Sequence, residues 1–160
     1  MKKAIKRIGI AIVVLLVVIQ AIRPARTNPP VDETRTIQTN STITPQISAI
    51  FERSCKDCHS FRTTWPWYSQ VAPVSWLLVS DVNAARKEVS LSEWGTYDPR
   101  TKLSKLQKIC EEVEKDDMPL GIYVVLHPVA KLSDADKRAL CDWTKQEGDR
   151  VLASQGSASK

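Results

Sequence analysis

The segment Cys55-Lys56-Asp57-Cys58-His59 constrains the fold of this chain more than any other, because it places two thiols and an imidazole within five positions. His59 is one of only two histidines among 160 residues. Three kinds of chemistry use such a cluster: covalent attachment of a haem, a zinc site and a redox-active disulfide. Each of them needs a different fold around the motif, so the rest of the sequence decides among them.

The spacing Cys-x-x-Cys-His is typical of c-type haem attachment. Two thiols one helical turn apart reach the two vinyl groups of a porphyrin, and the adjacent histidine then faces the iron. We therefore predict one covalent haem c per chain, bound through Cys55 and Cys58, with His59 as an axial ligand. Zinc would need a second ligand pair at short spacing, whereas Cys110 and Cys141 are single residues far apart. Disulfide exchange favours a motif that follows a strand, and this one follows a predicted helix.

An apolar run near the N-terminus predicts a membrane anchor. Residues 8–22 are apolar except for Gln20, and four cations precede them. A cleavage site is poorly formed, because Ile19 and Arg23 stand where small residues are expected. We favour an uncleaved transmembrane helix over about residues 5–22 and keep a cleaved signal as the alternative. Because the cations come first, we expect a single pass through the cytoplasmic membrane, with the remaining chain facing the periplasm or the cell exterior.

The net charge of +5 does not indicate a nucleic-acid-binding protein. Six of the 23 basic residues and none of the 18 acidic residues lie in residues 1–26, so the remainder carries 17 basic and 18 acidic groups. The basic excess thus belongs to the anchor and its flanks and not to a binding face. We predict no nucleic-acid partner.

The chain divides into four segments. We predict an anchor over 1–22, a flexible tether rich in Pro, Thr and Asn over 23–43, a haem-binding domain over 44–150 and a disordered tail over 151–160. Within the domain, helical spacing of apolar residues and capping signals predict four helices. They start at Thr44-Pro45, cover Pro73–Val89 and Arg100–Lys115, and run from Ser133 to near Gly148. Tyr123–Leu126 is the one strand candidate, so the fold class is mostly α, with four or five short helices.

A haem iron bound by His59 has a second axial position, for which Met118 and His127 are the candidates. Met118 lies in a polar turn, where a methionine has little packing role, and Pro119 stiffens that turn. A Met/His ligand pair is typical of electron-transfer haems. We predict that Met118 is the second axial ligand. A gap-filling Met118 and ligation by His127 remain the alternatives.

Two further groups of residues carry predictions. Cys110 and Cys141 fall on apolar faces of the last two predicted helices, and an exported chain folds in an oxidising compartment, so we expect a disulfide between them. The aromatic residues of the segment Trp65–Tyr68, together with Trp76, are interpreted as core residues, as one wall of a haem pocket, or as both.

Several motifs together resemble the bacterial haem-binding domain family of small membrane-anchored monohaem c-type cytochromes. They are CKDCHS, WPWYSQVAPVSWLLVSDV, LSEW and MPLGIYVVLHPVAKLSDADKRALCDW, and they cover about residues 44–146. The resemblance implies a cytochrome c-like haem domain that binds haem covalently at Cys55, Cys58 and His59. It also assigns the ligand turn to Met118-Pro119, although Leu120 stands where the family pattern has a second proline. Cys110 and Cys141 lie outside that pattern.

We therefore predict an electron-transfer module and not an enzyme: a periplasmic, membrane-anchored monohaem cytochrome that exchanges electrons with redox partner proteins. The sequence does not indicate which partners these are. The alternative is a haem-based ligand sensor or a peroxidase-like enzyme, in which Met118 does not bind the iron and the sixth coordination site is open.

Overall fold

The computed structural model describes residues 1–158, and within that range helices joined by turns make up the fold, without a strand. The helices are α1 (Lys2–Val18), α2 (Ile37–Asn40), α3 (Pro45–Ile50), α4 (Lys56–His59), α5 (Val74–Glu88), α6 (Pro99–Glu114), α7 (Gly121–Leu126) and α8 (Asp134–Ala158). A π-helical turn, Phe51–Cys55, joins α3 to α4. The predicted mostly α fold behind one N-terminal apolar helix is confirmed.

Side-chain caps determine where the main helices of the domain begin. Thr44 and Asp98 each accept a hydrogen bond from the backbone of the first turn, at the starts of α3 and α6, and both helices have proline as their first residue. At α8, Ser133 and Asp136 exchange side-chain-to-backbone hydrogen bonds, which is a capping box. The predicted helix starts are therefore confirmed to within one residue.

The hydrophobic core lies where α3, α6 and α8 meet. Phe51 packs edge-on against Trp143 of α8, with 5.2 Å between the ring centroids. The disulfide predicted between Cys110 and Cys141 is confirmed, and it joins α6 to α8 with 4.8 Å between the Cα atoms. Further fully or nearly buried side chains of this core are Ile47, Ile50, Leu106, Val113 and Leu140.

The stretch 23–43, predicted as a flexible tether, is attached to the domain. Ile37 is completely buried, and its N–H donates to the carbonyl of Leu91 at 2.8 Å. The indole of Trp143 donates to the carbonyl of Thr42 at 2.8 Å. Composition indicated a tether because one buried isoleucine among polar residues leaves no periodic pattern, so the prediction is wrong for the end of this stretch.

The C-terminal part of α8 also differs from the prediction. The helix passes Gly148 and continues to Ala158, so residues 151–158 are helical and not a disordered tail. Val151 is buried, and this burial offsets the cost of about 1 kcal/mol that a glycine brings to a helix interior. The last two residues of the predicted tail lie outside the described residues.

The strand candidate Tyr123–Leu126 is helical, as part of α7. A short apolar run bounded by turns fits a strand and a buried helix equally well, and this one begins after the Met118-Pro119 turn. Backbone N–H groups of Tyr123 and Val124 both bond to the carbonyl of Leu120, at 2.9 and 3.1 Å, which starts the helical turn.

Helix α1 and the turn after it form one apolar helix, Lys2–Ala21. A window of 18 of its 20 residues has a mean hydropathy of 2.2, so by length and composition the helix is able to cross a membrane. None of its side chains is buried in the domain. The helix contacts the domain near its end, where Gln20 bonds to the backbone of Ala72.

Candidate functional site

A largely apolar cleft lies between the CKDCH segment, α5 and α6. It has two adjoining parts, with cavity volumes of about 250 and 190 Å³. The two parts meet at a common set of side chains, which are Cys55, His59, Glu88, Val113 and Met118.

The π-helical turn and α4 present both cysteines of the motif to this cleft. Cys55 and Cys58 are free thiols that line its larger part. Burial raises the pKa of Cys55 to about 12 and that of Cys58 to about 11, so both side chains are protonated at neutral pH. A redox-active disulfide needs a thiolate at neutral pH. The environment of the thiols therefore argues against the disulfide-exchange alternative.

The geometry of metal-binding side chains argues against zinc. Within residues 1–158, the three side chains that come close enough to share a metal ion are Cys110, Glu114 and Cys141, and the disulfide already joins two of them. The ligand atoms of Cys55, Cys58 and His59 do not converge in this manner. All three side chains line the larger part of the cleft.

His59 is held in one orientation by the end of α5. Its Nδ1 lies 3.1 Å from the carbonyl oxygen of Ala85 and 2.9 Å from that of Val89. Carbonyl oxygens only accept hydrogen bonds, so Nδ1 carries the proton and Nε2 keeps a free lone pair. Burial lowers the pKa of His59, which keeps the imidazole neutral. These features are those of a histidine prepared to bind a metal through Nε2.

The two candidates for the second axial ligand lie in different places. Met118 lines both parts of the cleft, together with His59. His127 does not line either part: its ring stacks on Tyr123 at 4.2 Å between centroids and lies 3.5 Å from the hydroxyl of Tyr68. Of the two candidates, Met118 is thus the one that shares a wall with the predicted proximal ligand.

The backbone at the end of α6 explains why Met118 is at this position. Asp116 adopts a left-handed conformation with φ of 59°, which ends the helix. The N–H groups of Asp117 and Met118 then both donate to the carbonyl oxygen of Glu112, at 3.0 and 3.1 Å. These bonds satisfy an orphan carbonyl of the last turn and fold the chain back toward the cleft.

The comparison with known proteins now decides the class of this site. The sequence matches the model of the haem-binding domain over residues 14–146. The chain belongs to the haem-binding domain family. No curated protein and no solved structure matches the chain. The family match begins before the stretch 23–43 and includes it, in agreement with the packing of that stretch onto the haem-binding domain.

The cleft of this haem-binding domain fits a haem on its own chemistry. Two protonated thiols, a neutral imidazole with a free Nε2 and a thioether border one apolar space. At one mouth of the cleft, Glu88 and Lys108 form an ion pair at 2.8 Å. This pair gives the otherwise apolar opening a polar rim.

The sequence reasoning missed two features of the site. The carbonyl groups of Ala85 and Val89 are invisible in a sequence, because every residue has one. The aromatic side chains at the cleft are Phe51 and Tyr123, and they are not those of the segment Trp65–Tyr68 or Trp76. Tyr123 donates a hydrogen bond to Asp57 at 2.9 Å, so the second variable residue of the CKDCH motif anchors α7 against α4.

Proposed function

We propose that this protein is a monohaem c-type cytochrome, anchored in the cytoplasmic membrane, whose haem domain faces the periplasm and transfers electrons between redox partner proteins. The observation that carries the proposal is the set of groups on one cleft: the thiols of Cys55 and Cys58, the oriented imidazole of His59 and the thioether of Met118. When bound, the haem supplies an iron that accepts and releases one electron.

The residues of the cleft have separate roles in this proposal. Cys55 and Cys58 would hold the haem covalently through their sulfur atoms. His59 would bind the iron through Nε2, and the hydrogen bonds at Nδ1 fix the ring and raise its basicity. Met118 would supply a second ligand to the iron. A His/Met pair leaves no open site for a substrate, and this arrangement suits electron transfer better than catalysis.

The proposed location rests on two features, the N-terminal apolar helix and the disulfide. Lys2–Ala21 is long and apolar enough to cross a membrane, and the cations before its apolar part favour a cytoplasmic N-terminus. The disulfide between Cys110 and Cys141 is of the kind that forms in an oxidising compartment. Both observations support a haem-binding domain on the periplasmic side.

Covalent attachment is tested with cysteine variants. On denaturing gels stained for haem, the wild-type chain is expected to show a band at its monomer mass, and Cys58→Ser is expected to remove most of that stain. The double variant Cys110→Ser/Cys141→Ser, which loses two sulfur atoms outside the motif, is the control and should keep its stain. Full staining of the double variant Cys55→Ser/Cys58→Ser would contradict covalent attachment.

The electron-transfer assignment is tested at Met118. We expect Met118→Ala to retain haem, to lose the weak far-red absorbance band of methionine–iron ligation, to have a lower reduction potential and to bind carbon monoxide. His127→Ala is the control and should retain the wild-type spectrum and potential. If the wild-type protein itself binds carbon monoxide readily, the sixth site is open and the sensor or peroxidase-like alternative takes the place of this proposal. If only His127→Ala changes the spectrum, His127 is the ligand.

A further inference from the structure

One face of the haem-binding domain is formed by two stretches without charge. Residues 63–80 and 118–130 contain no Asp, Glu, Lys or Arg, although these residue types make up 26% of the chain. The structure brings the two stretches together: Val74 and Leu77 of α5 line an apolar groove with Ile122 and Leu126 of α7. The charge-free segments therefore form a continuous surface and not two separate patches.

The apolar side chains of this surface are exposed. Six of them define what we call the apolar face: Trp67, Val71, Leu77, Ile122, Val125 and Leu126, of which Trp67 is 77% and Val125 73% exposed. Among the described residues beyond Ile22, the large exposed apolar side chains lie in the two charge-free stretches, with the single exception of Leu152. So strong a concentration of apolar surface marks a contact site.

The end of the candidate membrane helix is attached beside this face. The side-chain amide of Gln20 donates to the carbonyl of Ala72 at 3.0 Å and accepts from its N–H at 2.9 Å. The indole of Trp76 donates to the carbonyl of Ile22 at 2.8 Å. Because Ala72 and Trp76 directly adjoin Val71 and Leu77, the apolar face begins where the helix ends.

The length of the helix sets the level of this face relative to a bilayer. At about 1.5 Å per residue, the 18 apolar-rich residues that follow Lys3 span about 27 Å, close to the hydrocarbon thickness of about 30 Å, and Lys6 and Arg7 lie near the inner end, where their side chains reach the headgroups. Gln20 then lies at the outer boundary of the hydrocarbon. The attachment also explains the one polar residue of the apolar run, since both its donor and its acceptor are satisfied there.

The aromatic composition of the face points to the same level. The charge-free stretch 63–80 contains three of the five tryptophans of the chain. Tryptophan and tyrosine are enriched at membrane–water interfaces, where an apolar ring and a polar N–H or O–H are both accommodated. Trp67 has this character, with an exposed ring next to the half-buried Tyr68 at 5.8 Å between centroids.

We propose that the apolar face is immersed in the outer leaflet of the membrane that holds α1. The proposal rests on the membrane anchoring proposed above and adds a second site of membrane contact. Lipid is the occupant that fits best, because the face adjoins the membrane helix and carries interfacial aromatics, and Asp81 is the one charged side chain that lines its groove.

The test compares two leucines that are equally exposed. Leu126 on the apolar face and Leu152 on α8 are each 53% exposed, so Leu126→Cys and Leu152→Cys carry a nitroxide label in matched settings. The label reacts with the introduced thiol, because haem attachment and the disulfide occupy the four natural cysteines. The haem-loaded full chain is placed in vesicles of phosphatidylethanolamine and phosphatidylglycerol. Electron paramagnetic resonance then measures collisions with oxygen, which concentrates in lipid, and with a water-soluble nickel chelate.

We expect the oxygen-to-nickel accessibility ratio to be roughly fivefold higher at Leu126 than at Leu152, as for an apolar face buried about 5–10 Å deep. A third label, at Leu15→Cys in α1, reports on the anchor itself. Equal ratios at Leu126 and Leu152, with a lipid-like ratio at Leu15, would overturn the proposal and leave the anchor intact. A water-like ratio at Leu15 would overturn both the membrane contact of the apolar face and the proposed membrane anchor. Protection of Leu126 from both reagents would show that protein covers the face, which also overturns the proposal.

Discussion

Leu106 in α6 and Leu126 in α7 are the same side chain in opposite surroundings, 2% and 53% exposed. Leu106 belongs to the half of the domain built from α6 and α8, where apolar residues recur at helical spacing, face one another and are joined by a disulfide. Leu126 belongs to the apolar face, where apolar residues follow one another without a polar side. The comparison teaches that apolar content alone does not mark a core. A core is marked by the helical periodicity of its apolar residues, because a neighbouring helix can cover only a stripe on one side of a helix.

The largest expected effect tests this contrast directly. Leu106→Ala should lower the free energy of unfolding by about 4 kcal/mol, since it opens a cavity in a closed core. Leu126→Ala should change it by no more than about 0.5 kcal/mol in detergent, where the side chain is already exposed. Chemical unfolding followed by circular dichroism, on samples with equal haem content, measures both. Similar decreases in the free energy of unfolding of the two variants would contradict the distinction between the buried core and the apolar face.

The next effect isolates the cross-link of the α6–α8 half. Replacing both Cys110 and Cys141 by alanine should lower the free energy of unfolding by about 3 kcal/mol, because the disulfide closes a loop of 31 residues in the unfolded chain. Wild-type protein under a thiol reductant is the matched comparison and should show a similar loss. Mass spectrometry after alkylation without reductant should find no modified thiol at either position; modification of both would contradict the cross-link.

The smallest effect concerns the start of α8. The hydrogen bond from Ser133 and the nearby Arg53 lower the pKa of Asp136 to about 2, against 3.8 for the ordinary group. Its contribution is therefore complete above pH 4 and is lost as the pH falls toward 2. Asp136→Asn should cost about 1 kcal/mol at pH 7 and should show a flatter decline of stability between these values.

The control for this prediction is Asp134→Asn, which removes an exposed carboxylate from the same helical turn. It should leave the acid-dependent loss of stability as in the wild-type protein. Thermal unfolding at a series of pH values compares the three proteins. If the stability of Asp136→Asn falls with pH in the same way as that of the wild-type protein, the capping box does not stabilise this half of the domain.

The two halves also differ in how well the sequence predicted them. The starts of α3, α6 and α8 and the pairing of Cys110 with Cys141 follow from capping residues and apolar spacing, which are local signals. For helix α7 the sequence indicates a strand, because an unbroken apolar run has no period that distinguishes a strand from a helix. The burial of Ile37 depends on a contact with a distant part of the chain, which no local pattern records.

In the candidate site, too, the sequence predicted the features that depend on local signals and missed those that depend on distant contacts. The motif predicted Cys55, Cys58 and His59, and the structure places all three on one cleft together with Met118. What the sequence could not predict is the hydrogen bonding of His59 to the backbone of α5, since that contact depends on how α4 crosses the end of another helix. The roles of these residues as haem ligands remain predictions for the experiments above.

The attachment of Gln20 to Ala72 has a consequence for how such a protein meets others. A domain on a loose linker samples many heights and orientations above a membrane, and most of its collisions are unproductive. A domain fixed to the end of its own membrane helix has lost that freedom before any encounter takes place. For a membrane-held chain, the search for a partner becomes lateral diffusion in two dimensions, at one height and with one tilt. Partners embedded in the same membrane gain most from this arrangement.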